Sequence, residues 1–394
     1  MQVVKETDLS QIVKVIPGYL QVSPQHLLSM PQNSISQPSM RIALRALPAM
    51  IVLLFFVSCS KNDHEPGPSC IFTGKMLVEE TKGSFNSKFT STIELDSENP
   101  DMPNEIRRTT VNERTEGPDN LPLQKTTETY KYNFKYDVNG FLTMLVLHRS
   151  FIFEGVKGSY LYGNRSYRNF KLDEVTTYEY VYQANLASSV SIKTITTEQP
   201  DNFPAVITEL EQTKVYKYDV NGKAISALTI SSVGEIKSTF TNGIIATSVS
   251  TNKNGTVLSD TRYNDMGLPL SISSNNSLFE MSYDKRGNLV SVKTSSEGRL
   301  LYRYELHYDD FENPENTIKK FFKGIPEVIP TVQSTDGVNN TISENAIDDK
   351  SQLKSEYKTA YQYNNSGLPV SAVRSLAGDT SGQKRVISFR YKCP

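Results

Sequence analysis

The stretch YKYNFKYDVNG, residues 130–140, decides the fold. Tyr130, Tyr132, Phe134 and Tyr136 alternate with polar residues, and a strand places such a series on one face. Asp137 then stands at the first turn position, where its carboxylate can accept backbone N–H groups ahead of it. Gly140, three residues on, tolerates the left-handed conformation that closes a type I turn with a bulge. The segment therefore reads as the entry strand and turn of a β-hairpin.

The same unit recurs along the chain. Asp219 and Gly222 occupy the turn positions in Tyr218-Asp219-Val220-Asn221-Gly222, and Asp284 and Gly287 do so in Tyr283-Asp284-Lys285-Arg286-Gly287. Tyr263-Asn264-Asp265-Met266-Gly267 and Tyr363-Asn364-Asn365-Ser366-Gly367 repeat it with Asn for Asp. Most turns lead into an apolar-alternating run such as Leu289-Val290-Ser291-Val292. A series of hairpins makes an antiparallel meander. The expected fold is all-β: one large twisted sheet, either open or curled as far as a barrel.

The unit resembles the YD repeat of RHS-type proteins, most closely at Tyr283-Asp284-Lys285-Arg286-Gly287-Asn288-Leu289. It is also similar to the hairpins of a family of bacterial lipoproteins of unknown function, in which Asn-Pro follows the turn, as in Tyr308-Asp309-Asp310-Phe311-Glu312-Asn313-Pro314. The resemblance spans residues 125–394 with gaps. The units here are few and irregularly spaced, and the arginine usual in RHS repeats is mostly missing, which argues against the closed toxin-holding shell that this resemblance would imply.

Upstream, MRIALRALPAMIVLLFFVSCSKND begins at Met40. Arg41 and Arg45 form a positive flank, and the apolar run Ala46–Val57 suits a signal-peptide core while falling short of the ~18–20 residues that span a bilayer. Phe56-Val57-Ser58-Cys59 resembles the lipobox of bacterial lipoproteins. The resemblance implies cleavage before Cys59 and lipidation of that cysteine, an anchor of several acyl chains at about 0.8 kcal/mol per buried CH₂. The expected division is an upstream extension (1–39) preceding the native start, a signal peptide (40–58), a polar proline-broken tether (59–69) and a single β-rich domain (70–394). With no Asp directly after Cys59, the expected address is the bacterial outer membrane, on its surface-exposed face.

Composition narrows the function classes. The formal charge is −1, and Lys and Arg are interspersed with Asp and Glu, so no nucleic-acid partner is expected. Cys70 and Cys393 bracket the domain. They either pair, which would set the first and last strands side by side, or remain two separate buried thiols. The stripe Tyr130, Tyr132, Phe134, Tyr136 and the series Tyr178, Tyr180, Tyr182 are candidate binding platforms for sugar or peptide, or else faces that pack on a second layer. The chain has no Trp, which weakens the sugar version.

His148 and His307 lack metal-ligand spacing, and no nucleophile elbow, Walker loop or dinucleotide fingerprint appears. Asp309-Asp310 and Asp348-Asp349 read as acidic turns before they read as Ca²⁺ ligands. No catalytic residue, metal or cofactor is therefore expected. The anticipated function is a lipid-anchored, non-enzymatic binding or scaffold lipoprotein whose partner is a polysaccharide, a peptide or an envelope protein. A surface glycan hydrolase with a carboxylate pair on long loops is the alternative. Three polar stretches, Glu98–Gln124, Thr197–Thr213 and Gly324–Leu353, are expected as such loops. A short helix is expected at Pro314–Lys323, capped by Asn313.

Overall fold

The structure, a computed structural model, describes residues 70–393 apart from 82–84, 97–101, 117–120, 156–159, 163–164, 202, 275, 318–321, 328–337 and 379–383. Cys59 and the three segments upstream of the domain lie outside the described residues.

Long strands come first: β1 (Ile71–Thr81), β2 (Phe85–Asp96), β3 (Glu105–Glu116), β4 (Leu121–Tyr136) and β5 (Leu142–Gly155). A small hairpin, β6 (Tyr160–Tyr162) with β7 (Arg165–Tyr167), stands apart from the main sheet. Then follow β8 (Asn169–Gln183), β9 (Leu186–Pro200), β10 (Val206–Tyr218), β11 (Ala224–Ser231), β12 (Gly234–Thr241) and β13 (Ile244–Asn252). The short strands are β14 (Val257–Tyr263), β15 (Pro269–Ser274), β16 (Ser277–Tyr283) and β17 (Leu289–Ser296). The series ends with β18 (Arg299–Glu312), β19 (Asn339–Asp348), β20 (Leu353–Tyr363), β21 (Pro369–Leu376) and β22 (Lys384–Lys392).

Apart from β6 and β7, each strand pairs antiparallel with the next, and β22 pairs with β1. The twenty-stranded sheet is therefore a closed barrel with up-and-down connectivity, and its closure leaves no open sheet edge. At the seam, Ile387 faces Leu77 and Phe389 faces Lys75. Cys70 and Cys393 form a disulfide beside it. Because every strand reverses direction, successive turns alternate between two ends. All five Tyr-Asp or Tyr-Asn turns, the β18–β19 connection and the disulfide fall at one end, here the turn end. The turns at Asn252 and Asp348 fall at the other, the far end.

The hairpin geometry is the same at all five tyrosine turns. In the first, Asp137 N donates to Phe141 O (2.9 Å) and Gly140 N to Asp137 O (3.1 Å). Asp137 Oδ1 accepts N–H from Asn139 and Phe141, both at 2.9 Å. Gly140 has φ +79° and Gly222 +77°, where a Cβ would be strained. The Tyr pairs with the residue six positions on, as in Tyr136 with Leu142, Tyr218 with Ala224 and Tyr283 with Leu289, and a bulge follows.

Register fixes which face is inside. Phe134, Leu145, Tyr178 and Ile192 lie opposite one another across four strands, and Ala227, Ser238, Ser248, Thr261 and Ile272 continue the same face. Buried residues on this face occur all round the ring, among them Leu145, Val190, Ser238, Thr261, Val292 and Ala372. Barrels of 16–18 strands already leave a water channel when round. Burial on every side therefore means that walls and connections fill this one.

Ion pairs line the outward face. Lys125 pairs with Glu113 (2.9 Å), Lys131 with Glu105 (2.8 Å), Arg303 with Glu305 (3.0 Å) and Lys358 with Glu356 (3.1 Å). A barrel that spans a bilayer presents an apolar band outward and polar groups inward. Here the outward face mixes ion pairs with exposed apolar side chains, among them Val181, Val215, Leu301 and Val386, and the inward face carries pairs of its own, such as Arg149–Glu128 and Arg374–Glu344.

Two sequence expectations are corrected. Of the three stretches read as long loops, the first two are mostly strand (β3 and the start of β4; the end of β9 and the start of β10), and the third holds β19, with 328–337 outside the described residues. β3 and β19 lack apolar alternation and are strands because each has a paired neighbour on both sides. Of the helix expected at Pro314–Lys323, Pro314–Thr317 form a 3-10 turn and residues 318–321 lie outside the described residues; Asn313 Oδ1 accepts Glu315 N–H (3.0 Å) as a cap would.

Candidate functional site

The aromatic stripes face the interior. Tyr132 and Phe134 are buried, and Tyr130, Tyr136, Tyr178, Tyr180 and Tyr182 pack against the same cluster. The rows thus line the inner face of the sheet, with Tyr130, Tyr136, Tyr178, Tyr180 and Tyr182 only partly buried there. In a closed sheet the apolar face turns inward, because burying rings is the main favourable term. Burial pushes the Tyr132 hydroxyl up to about 12, against the opposing pull of the Arg108 charge.

A use for the hydroxyls emerges at the turn end. Tyr136, Tyr182, Tyr218, Tyr283, Tyr308 and Tyr391 each donate to a backbone carbonyl at or near the start of the neighbouring, preceding strand. The acceptors are Pro103 (3.2 Å), Leu142 (2.9 Å), Ala187 (2.7 Å), Pro269 (3.0 Å), Leu289 (2.8 Å) and Pro369 (2.8 Å). Each acceptor lies at or near the start of an exit strand, so each tyrosine ties its hairpin to the preceding one. Phenylalanine would fill the volume without making the tie, at about 0.5–1.5 kcal/mol per bond. The tie accounts for the Tyr before Asp at Tyr136, Tyr218, Tyr283 and Tyr308, whereas Tyr363 donates to the Asp309 carboxylate instead.

The described parts of the β18–β19 connection, residues 313–317 and 322–327, pack in the interior. Phe322 stacks on Phe134 (5.6 Å between centroids) and Tyr136 (6.3 Å). Gly324, at φ +77°, gives its carbonyl to Ala187 N–H (2.8 Å), and an added Cβ would collide with the Asn185 carbonyl. Ile325 is buried beside it.

Two ion pairs fasten the connection to the wall: Glu315 with Lys75 of β1, and Glu327 with Lys214 of β10 (2.5 Å). The Tyr216 hydroxyl donates to the same Glu327 carboxylate (2.5 Å). Burial, then the Glu327 charge, holds the Tyr216 and Tyr180 hydroxyls far above their ordinary value, so both stay protonated. These charges neutralise one another, and the arrangement is a fastening rather than a proton-transfer site.

A buried amide network holds the two feet of the connection. Asn288 Nδ2 donates to Asp284 Oδ2 (2.7 Å) and to Asn339 Oδ1 (3.0 Å), while Asn288 Oδ1 accepts Asn339 N–H (2.9 Å). Asn340 donates to Asp309 (3.2 Å) and to the Tyr363 hydroxyl (3.2 Å). Burial raises the Asp284 carboxyl, but the Asn288 amide and the N–H groups of Asn288, Arg286 and Gly287 outweigh it. The net shift is downward.

The remaining candidates are scattered. Asp309 accepts from Tyr363, Asp310 pairs with Arg286 (2.9 Å), and Asp348 closes its own turn and pairs with Lys354 (2.8 Å). His148 lies outward, 3.6 Å from Asp173. Among the described residues, no three His, Cys, Asp or Glu side chains gather as metal ligands, and no helix is long and apolar enough to cross a membrane. Sequence reading missed Lys75, Lys214, Glu315, Glu327, Asn288, Asn339 and Asn340. Glu327 and Lys214 are 113 residues apart, and no local pattern links them.

The chain matches no protein-family model and no curated protein. Among solved structures, a porin-like protein from Bacteroides uniformis is similar at 11% identity. That similarity covers 82% of this chain and 96% of the other, with a TM-score of 0.30.

Proposed function

We propose that the chain is a bacterial envelope lipoprotein, held in the outer membrane by lipid on Cys59, with a non-enzymatic barrel that serves as a binding or scaffold module. The observation that carries this reading is the set of ion pairs on the outward face, Lys125–Glu113, Lys131–Glu105, Arg303–Glu305 and Lys358–Glu356, charges that a bilayer core would have to desolvate. Such a body is solvated by water and needs a separate anchor to stay at a membrane. The lipobox-like Phe56-Val57-Ser58-Cys59 answers that need, and the Cys70–Cys393 disulfide fits an oxidising compartment outside the cytoplasm. The resemblance to lipoproteins with Tyr-Asp hairpins points the same way. The partner is a polysaccharide, a peptide or another envelope protein met at the outer face of the membrane.

The test is fractionation of cells making the full chain or Cys59→Ser. The parent should sediment with outer membranes and yield an acylated N-terminal peptide by mass spectrometry. Equal distribution of both forms, with no acyl mass, would overturn the anchoring. Turnover on a panel of glycans and peptides would overturn the non-enzymatic reading.

A further inference from the structure

Both ends of the barrel expose apolar side chains, so composition alone does not assign them. At the turn end, Val138 and Val220 are fully exposed on the tips of their turns, and Met266 occupies a third tip. Leu270 and Val370 are exposed just after two of the turns, and Phe311 is exposed at the foot of the β18–β19 connection. At the far end, Phe203, Val206, Ile207 and Leu353 are exposed.

What separates the ends is where the chain enters. Cys70 precedes β1 at the turn end and is tied there to Cys393. From Cys59 to Cys70 there are eleven peptide steps (70 − 59), a reach of at most about 40 Å. β1 alone runs 11 residues, about 36 Å, toward the far end. The far end could meet the bilayer only with the linking chain drawn out along the whole wall.

We propose that the turn end is a lipid-facing rim, with Val138, Val220 and Met266 seated in the headgroup region of the membrane that holds Cys59. This rests on the lipid-anchor reading above. A tip valine in water gains nothing from exposure, whereas at an interface it buries apolar area and limits tilting of the barrel about its tether. The far end then points away from the membrane, toward any partner.

The absence of Trp from the chain makes the test direct, since one introduced Trp is a unique reporter. Val220→Trp, Met266→Trp and Ile207→Trp would be made separately in the full chain and purified lipidated. Each would then be reconstituted in phosphatidylethanolamine/phosphatidylglycerol vesicles, with and without brominated acyl chains. Met266→Trp serves as a second reporter if Val220→Trp misfolds, as judged by far-UV circular dichroism.

The expected result is blue-shifted emission and at least about twofold stronger quenching for the two turn-end reporters than for Ile207→Trp. Equal quenching at both ends on a chain whose Cys59 is acylated would overturn the rim while leaving the anchor intact. An unacylated chain that fails to sediment with vesicles would overturn both.

Discussion

Cys393→Ser should lower the thermal midpoint of the barrel by several degrees, and the size follows from the length of the loop that the disulfide closes. The two cysteines are 323 residues apart. The chain-entropy relation then gives about 19 cal/mol/K, or ~5.8 kcal/mol at 25 °C, somewhat above the ~2–5 kcal/mol usually found on removing a native disulfide. At ~2.1 cal/mol/K per residue, a barrel of this length unfolds with an entropy near ~0.7 kcal/mol/K, so the drop is about 3–8 °C.

The effect should also be localised. Without the bond, β22 and β1 are held at the seam by backbone pairing, the Arg385–Glu79 ion pair and the Phe72–Tyr391 ring contact, and fraying there bares two sheet edges. Circular dichroism melts of the full chain would give the midpoint, with hydrogen exchange read at Phe72 and Tyr391. The parent under reductant should match Cys393→Ser under oxidising conditions. A midpoint within about 1 °C of the oxidised parent would refute the loop-closure reasoning. Faster exchange spread evenly over all strands would refute the seam as its location.

Glu327→Gln removes the charge facing Lys214 and Tyr216 in a partly buried site, and should cost about 1–3 kcal/mol in urea unfolding. Lys214→Met with Glu327→Leu should recover much of that loss, and failure to recover would mean the pair is not the fastening. Asp284 has a lowered folded-state carboxyl, so its stabilisation is present above the ordinary carboxylate range and fades as pH falls through the folded value. Asp284→Asn should therefore lower the urea midpoint at pH 7 and leave it nearly unchanged near pH ~2; an equal loss at both values would contradict this. Gly222→Ala forces a Cβ onto φ +77° and should cost about 1–2 kcal/mol, read from the same melts. A neutral result there would show that the turn can adopt another type.

Local chemistry made the hairpins legible. An Asp or Asn that caps its own turn, a Gly at positive φ and a period-two aromatic strand act within about ten residues, so any one unit can be read in isolation. The same logic failed at Glu105–Glu116 and Asn339–Asp348, where polar strands carry no apolar alternation and exist because each has paired neighbours on both sides. The tyrosine rows were visible as rows, but not the side on which they would lie.

The sequence by itself determined the strand-turn-strand repeat, the places where the chain reverses and the inequality of the two strand faces, because each depends on neighbours in the chain. Only the tertiary structure decided that the sheet closes β22 onto β1, turns its tyrosines inward and packs against the segment bearing Phe322, Gly324 and Glu327. Those outcomes depend on contacts between residues more than a hundred positions apart. Their energies come from water released and charges neutralised when distant walls meet, and no local pattern records that.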